Sequence, residues 1–206
     1  MYGDVGYVRL FSFNSRATEL LESDISAMLD DGAQSLILDL RGNPGGLLNQ
    51  AISVADLFLE KGLVLTQRNR DGKALEYFSK DEQLAEDIPL VVLIDGGSAS
   101  ASEVVAGALR DRDRAILIGQ TSFGKGSVQH VYDLSDGSQL HLTVSLWFTP
   151  KEAPIQGEGL APDLEVTSSS ADTDTVIDAA LAYFAEQNIS TGDIPETTDT
   201  VPESEQ

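Results

Sequence analysis

Three short runs of the chain are almost unbroken in apolar residues: Ser35–Leu40, Pro89–Ile94 and Ala115–Ile118. A strand with one face in water alternates apolar and polar residues, so runs of this kind predict strands buried on both faces. Each run is followed by a loop and then by a helix or turn, the alternation of an α/β core. Val5–Phe11 reads as an earlier strand and Leu63–Gln67 as another. Helical spacing appears at Leu21, Ile25, Met28 and Leu29, with Gly32 placed to end that helix. It recurs through Ile52, Ala55 and Phe58, from about Ser100 to Leu109, and at Val176, Ile177, Ala180, Leu181 and Phe184. Strict alternation governs Val128–Leu134 and Leu140–Phe148, and Ser135-Asp-Gly-Ser138 between them predicts a β-hairpin. Residues 69–88 are polar and poorly periodic, as in a surface excursion with at most a short strand pair.

From about Gln187 the pattern stops. The final residues carry five acids, no base and no aromatic, and are rich in Ser, Thr and Pro. The expected division is therefore one domain over 1–186 and a disordered acidic tail over 187–206. With 206 residues and 41% hydrophobic content, the chain can build a full core.

Composition narrows the chemistry by exclusion. A net charge of -21 disfavours a nucleic-acid groove or an anionic membrane surface as partner. No apolar run approaches the ~20 residues of a membrane span. Met1 does not open a signal peptide, since a strand begins by Val5, and the chain is expected to start inside folded structure. There is no cysteine, which removes disulfides and thiolate metal sites, and neither a metal nor a cofactor is expected.

Loops at the carboxyl ends of strands are where α/β sites are built. Three stand out: 41–46, 95–100 and 119–126. The second, within Gly97-Ser-Ala-Ser-Ala-Ser-Glu103, offers serines at the start of a helix, and the third carries Lys125 between two glycines. A serine hydroxyl needs a neighbouring base to become a nucleophile. The two histidines, His130 and His141, fall in the alternating hairpin and read as solvated strand residues. A desolvated lysine can act instead, because burial disfavours its charged form. Ser100, at the helix start, gains from the helix dipole and from the N–H that follows it. Ser98 falls too early in the loop, and Ser102 suits capping or packing.

Two other motifs cross the same lysine. Gly119-x4-Gly124-Lys125 fits a phosphate-binding loop until its last position, where Gly126 replaces the required Ser or Thr and a strand follows instead of a helix. Ser122-Phe-Gly-Lys125 spells Ser-x-x-Lys, but a glycine-rich segment is a poor helix for that pairing.

Taken together, Leu38-Asp-Leu-Arg-Gly-Asn-Pro-Gly-Gly46, Gly97–Glu103, Gly119–Gln129 and Gly159-Leu-Ala-Pro-Asp163 resemble the C-terminal processing peptidases, or tail-specific proteases, over about residues 5–166. The resemblance implies a ClpP/crotonase-like α/β core of stacked β-β-α units with an additional β-hairpin. It implies a serine endopeptidase that cleaves polypeptides near accessible C-termini, with Ser100 as nucleophile, Lys125 as general base and Gln129 orienting the lysine. The oxyanion hole would be the backbone N–H of Ala101 and of Gly45 or Gly46, since glycine permits close backbone approach. Asp111 matches a position of interest in some relatives, and equally reads as a helix-end residue. An exported location, such as the periplasm, is implied in the same way.

Family members usually carry a PDZ domain ahead of the protease core, for which the match from residue 5 onward leaves no room in this chain. Two rival expectations follow. One is a peptide-binding or scaffold module with little turnover. The other takes the crotonase-like fold as an acyl-CoA enzyme, against which the acidic balance argues.

Overall fold

The computed structural model describes residues 1–80, 83–167 and 173–192. Its centre is a parallel sheet of five strands: β1 (Val5–Arg9), β2 (Ser35–Asp39), β5 (Leu90–Ile94), β6 (Ile116–Gly119) and β9 (Leu164–Glu165), in the spatial order β1-β2-β5-β6-β9. A second, antiparallel sheet has the order β4-β3-β8-β7, from β3 (Gly62–Asn69), β4 (Ala74–Ser79), β7 (Ser127–Asp133) and β8 (Gln139–Phe148). The helices are α1 (Ala17–Asp30), α2 (Leu48–Asp56), α3 (Ala101–Asp111) and α4 (Thr175–Gly192).

The unbroken apolar runs are explained by helices on both faces of the parallel sheet. Leu36, Leu38, Val92, Ile94 and Leu117 point into a core shared with Leu21, Ala51, Val54 and Val105 of α1–α3. Their neighbours Ile37, Val91, Leu93 and Ile118 point the other way, onto Val176, Ile177, Ala180 and Phe184 of α4. Every residue of β2 and β5 is buried. Gly32 ends α1 at φ 90°, the left-handed backbone its position called for.

The polar stretch after β3 resolves into β4, which pairs antiparallel with β3. Phe58 is fully buried but lies beyond the end of α2. Two residues of β9 complete the parallel sheet beside β6, too short for any periodic signal. Helix α4 runs on to Gly192, and the remainder of the acidic tail, 193–206, lies outside the described residues.

The two histidines are exposed on the hairpin, as expected. Over its tip the hairpin shows both faces to solvent, with Val131, Tyr132, Leu140 and Leu142 each about half exposed. Among the described residues no helix is long and apolar enough to cross a membrane, and no cluster of His, Cys, Asp or Glu could hold a metal ion.

Candidate active site

All three conspicuous loops leave the carboxyl ends of parallel strands and are tied to one another. Asp95, just past β5, accepts the N–H of Gly42 and of Gly97, each at 2.8 Å. Asn43 is completely buried. Its side-chain amide donates to Leu10 O at 2.7 Å, and its carbonyl O accepts from Ala99 N at 3.0 Å and Ser102 Oγ at 2.9 Å. Ser98 Oγ donates to Leu40 O at 2.8 Å. Ser98 and Ser102 thus spend their hydroxyl hydrogens on tying Leu40 and loop 41–46 to the start of α3.

Ser100 remains. It is the N-cap of α3, with φ 58° and ψ -114°, a backbone that disfavours any residue with a Cβ. Its side chain and that of Glu103 form a capping box, each with the other's backbone N–H, and its hydroxyl donates to no acceptor among the described residues. Gly45 packs directly on it: a Cβ at Gly45 would stand 2.8 Å from Ser100 Cβ, 2.7 Å from Ala99 O and 2.9 Å from Ala101 N. Only glycine allows that approach, and its φ of +100° excludes other residues independently.

The backbone N–H groups beside the serine differ in availability. Gly45 N–H already donates to Asn43 Oδ1 at 2.9 Å, so it is not open to a substrate oxygen. Gly46 is exposed, and neither its N–H nor that of Ala101 has an acceptor among the described residues. The loop is held from its far side by Phe13, whose N–H donates to Gly45 O at 2.9 Å and whose O accepts from Leu47 N at 2.8 Å.

The link to the lysine loop is Glu103, fully buried in the first turn of α3. One carboxylate oxygen accepts Ser122 Oγ and Gly124 N, each at 2.6 Å, and the other accepts Ser100 N and Lys125 N, each at 2.8 Å. Four donors from two loops converge on one side chain. Ser122 also accepts Leu160 N at 2.7 Å, which ties in the Gly159–Asp163 segment and gives that serine a structural role. An acid three residues after a helix-opening serine is a sequence signal for a helix start; it carries no sign of this bridging role.

The structure brings Ser100, Ala101 and the glycine loop together, and places the Lys125 backbone beside them. It does not engage the Lys125 amine: the side chain is exposed, and Nζ makes no hydrogen bond to Ser100 or to any other described residue. Gln129 is exposed on β7 and donates to Thr143 Oγ1 at 3.4 Å, not to the lysine. Asp111 lies at the opposite end of α3, roughly 16 Å along the axis from Ser100 at about 1.5 Å per residue. There it accepts Lys151 N at 3.0 Å and pairs with Arg110 at 3.5 Å, a helix-end role.

A further network lies under loop 41–46. Asp39, wholly buried at the end of β2, accepts Tyr7 Oη at 2.7 Å and the Arg41 guanidinium at 2.6 and 2.9 Å. Burial, followed by the bond to Asp39, pushes the Tyr7 hydroxyl up to about 12. Burial works against the Arg41 charge, but the hydrogen bonds it donates to aspartates outweigh this and hold it above its ordinary range. A cavity of about 500 Å³, lined by Ser35, Leu90, Ile116, Tyr183 and Phe184, lies at the amino ends of the strands, away from these loops.

Residues 4–166 match the pattern described as Peptidase family S41. A carboxy-terminal-processing protease of Bartonella bacilliformis is 47% identical over 169 residues, covering 80% of this chain and 39% of that protein. A carboxyl-terminal-processing protease of Synechocystis is 43% identical, covering 77% and 37%. The chain thus spans well under half the length of these relatives. Among solved structures, a photosystem II D1 C-terminal processing protease superposes with a TM-score of 0.76 at 37% identity, over 83% of this chain and 44% of that one. Tricorn protease, at 17% identity and a TM-score of 0.61, shares the fold, over 90% of this chain and 18% of its own. By the family pattern and by these identities, the chain belongs to peptidase family S41.

Proposed function

We propose that this chain is the catalytic core of a serine endopeptidase that cleaves polypeptides near their C-termini through a Ser100 acyl-enzyme. The observation that carries the reading is Ser100 itself. It sits on a strained helix-opening turn with a hydroxyl that donates to no described residue, beside the N–H groups of Ala101 and Gly46, which have no acceptor among the described residues. In the reaction, the neutral Lys125 amine takes the Ser100 proton as Oγ bonds to the scissile carbonyl carbon, and the carbonyl oxygen becomes an oxyanion facing those donors. The lysine returns the proton to the departing amine as the C–N bond breaks. It then takes a proton from water as the water oxygen bonds to the acyl carbon, and passes that proton to Ser100 Oγ as the ester C–O bond breaks and the new C-terminus is released.

Glu103 supports this assignment of the base, because it fixes the Lys125 backbone next to that of Ser100 and leaves the amine's approach to side-chain rotation. Gln129 is then the residue that steadies the rotated lysine. The exposed Lys125 amine is consistent with a resting arrangement that substrate converts. No cofactor is required by this scheme. Polypeptides with accessible C-termini are its substrates, and an exported compartment is its setting.

The test is cleavage of an unstructured peptide, with acyl-enzyme detected by intact-mass spectrometry, in wild type, Ser100→Ala and Lys125→Ala. Turnover in wild type and loss in both variants is expected, with the rate falling towards acid. Full activity in either variant would overturn the assignment. Peptide binding without acylation, even in the longer protein, would favour the scaffold reading instead.

A further inference from the structure

Arg41 stands immediately before the loop that carries Gly45 and Gly46, and its guanidinium is divided between two carboxylates. Nε and Nη2 go to Asp39, its neighbour at the end of β2. Nη1 and Nη2 go to Asp174, in two parallel bonds of 2.8 Å each, across 133 residues of chain. That fork-to-fork geometry is the most directional form of an ion pair. Asp174 Oδ1 also accepts the N–H of Val176 and Ile177, each at 3.2 Å, so the same carboxylate starts helix α4. The hydrogen bonds from Arg41, more than any other influence, hold the Asp174 carboxyl below its ordinary range.

Asp174 lies beyond the family-matched stretch, which ends at residue 166. It nevertheless reaches the segment on which the proposed oxyanion donor depends. The Arg41 backbone is gripped on either side, its N–H by Asp39 at 2.9 Å and its carbonyl by Arg9 Nη2 at 3.2 Å, and the next N–H, of Gly42, by Asp95. Only the outer half of the guanidinium depends on a separate element, and that element is α4. The Arg41 side chain is 14% exposed, so the contact is largely shielded, while that of Asp174 is 41% exposed and can be exchanged without disturbing the core.

We propose that Asp174 is a positioning residue for loop 42–46: by holding Arg41, it makes the seating of α4 on the sheet a condition for a fixed Gly46 N–H. The inference rests on the serine-peptidase reading of that loop, and extends it to an element outside the family-matched stretch. Loss of the grip lets Arg41 swing with Asp39 as its sole anchor, and a small misplacement of the oxyanion donor lowers the chemical step more than substrate binding.

The decisive variant is Asp174→Ser, because serine can still cap a helix but cannot hold a guanidinium by two charged oxygens. Peptide cleavage should show kcat reduced roughly ten-fold with KM changed far less. Amide hydrogen exchange at Gly42 and Gly45, whose N–H groups are held by Asp95 and Asn43, should speed up in the same variant, while α4 keeps its protection. Asp174→Glu should recover part of both losses. Unchanged kcat and unchanged exchange in Asp174→Ser would overturn the proposal, as would an equal loss of protection along the whole of α4. The exchange measurement needs no turnover. An inactive wild type would therefore count against the function proposed above, while accelerated exchange in the variant would still establish the coupling.

Discussion

Ser100 and Lys125 present their backbone N–H groups to the same carboxylate oxygen, Glu103 Oε2, each at 2.8 Å. Their nitrogens are therefore no farther apart than two such bonds laid end to end. In the mechanism proposed above, the lysine amine would approach the serine by side-chain rotation, which for an exposed group takes nanoseconds or less.

Removing Glu103 should thus damage stability and catalysis together. Glu103→Ala strands four donors at once, three of them in buried bonds, and a single stranded buried group costs ~1–3 kcal/mol. Destabilisation by at least about 2 kcal/mol is expected in urea unfolding. Glu103→Gln should lose less stability, since its amide oxygen still accepts, but should lose most peptide cleavage because its NH₂ meets donors on one side.

The backbone at Ser100 predicts an unusual pair of stabilities. Ser100→Ala keeps the Cβ in a conformation that costs on the order of 1–3 kcal/mol, whereas Ser100→Gly relieves it. Both variants should be inactive, yet the glycine variant should melt higher than the alanine variant. Equal melting temperatures would show that the turn stores no such strain.

Gly45 and Gly46 should tolerate nothing larger, for separable reasons. A methyl at Gly45 meets Ala99 O at 2.7 Å and Ser100 Cβ, while one at Gly46 meets Phe13 O and the Phe13 carbonyl carbon, both as backbone atoms that cannot rotate aside. Gly46→Ala should cost about 10²-fold or more in kcat by displacing an oxyanion donor. Gly45→Ala should lose activity through displacement of Ser100 itself, with acylation by a serine-directed phosphonate slowed to the same degree as peptide cleavage.

Tyr7 gives an alkaline signature. Its hydroxyl is raised from 10.0 to about 12 in the folded chain, mainly by burial and then by its bond to Asp39. A group whose folded pKa is raised contributes stability that is complete below pH 10 and is lost as pH climbs towards 12. Phenolate absorbance should show one of the five tyrosines titrating late, and Tyr7→Phe should delete that component while flattening the fall in stability above pH 10.

Strands β2, β5 and β6 were legible because burial on two faces leaves an apolar run that no other local structure explains so simply. Strand β9 was not, since two residues carry no period, and β4 was submerged in a polar stretch because most of its side chains face solvent. Ser100 was preferred over Ser98 and Ser102 from its place at the helix start; that the other two hydroxyls donate to Leu40 O and Asn43 O was not visible in the sequence. Glu103 and Asn43 sat inside recognised segments without a role, because convergence of distant donors is a property of folding and not of spacing. Gly45 and Gly46 were indistinguishable in the sequence; the Asn43 side chain separates them. The Arg41–Asp174 pair spans too much chain for any pattern to suggest it.

Ser145, paired with Asn69 on one side and Val128 on the other, marks a boundary in stiffness. From it to Phe148, β8 pairs with β3 and Trp147 is nearly buried; towards the tip, β7 and β8 pair only with each other and expose both faces. A two-stranded ribbon is marginal in water, so the tip opens at a far lower free energy than the parallel sheet. Lys125 is therefore anchored at the clamped end of a cantilever. Force or binding applied to the exposed tip, ten or more residues away, reaches the lysine as a small rotation at its root.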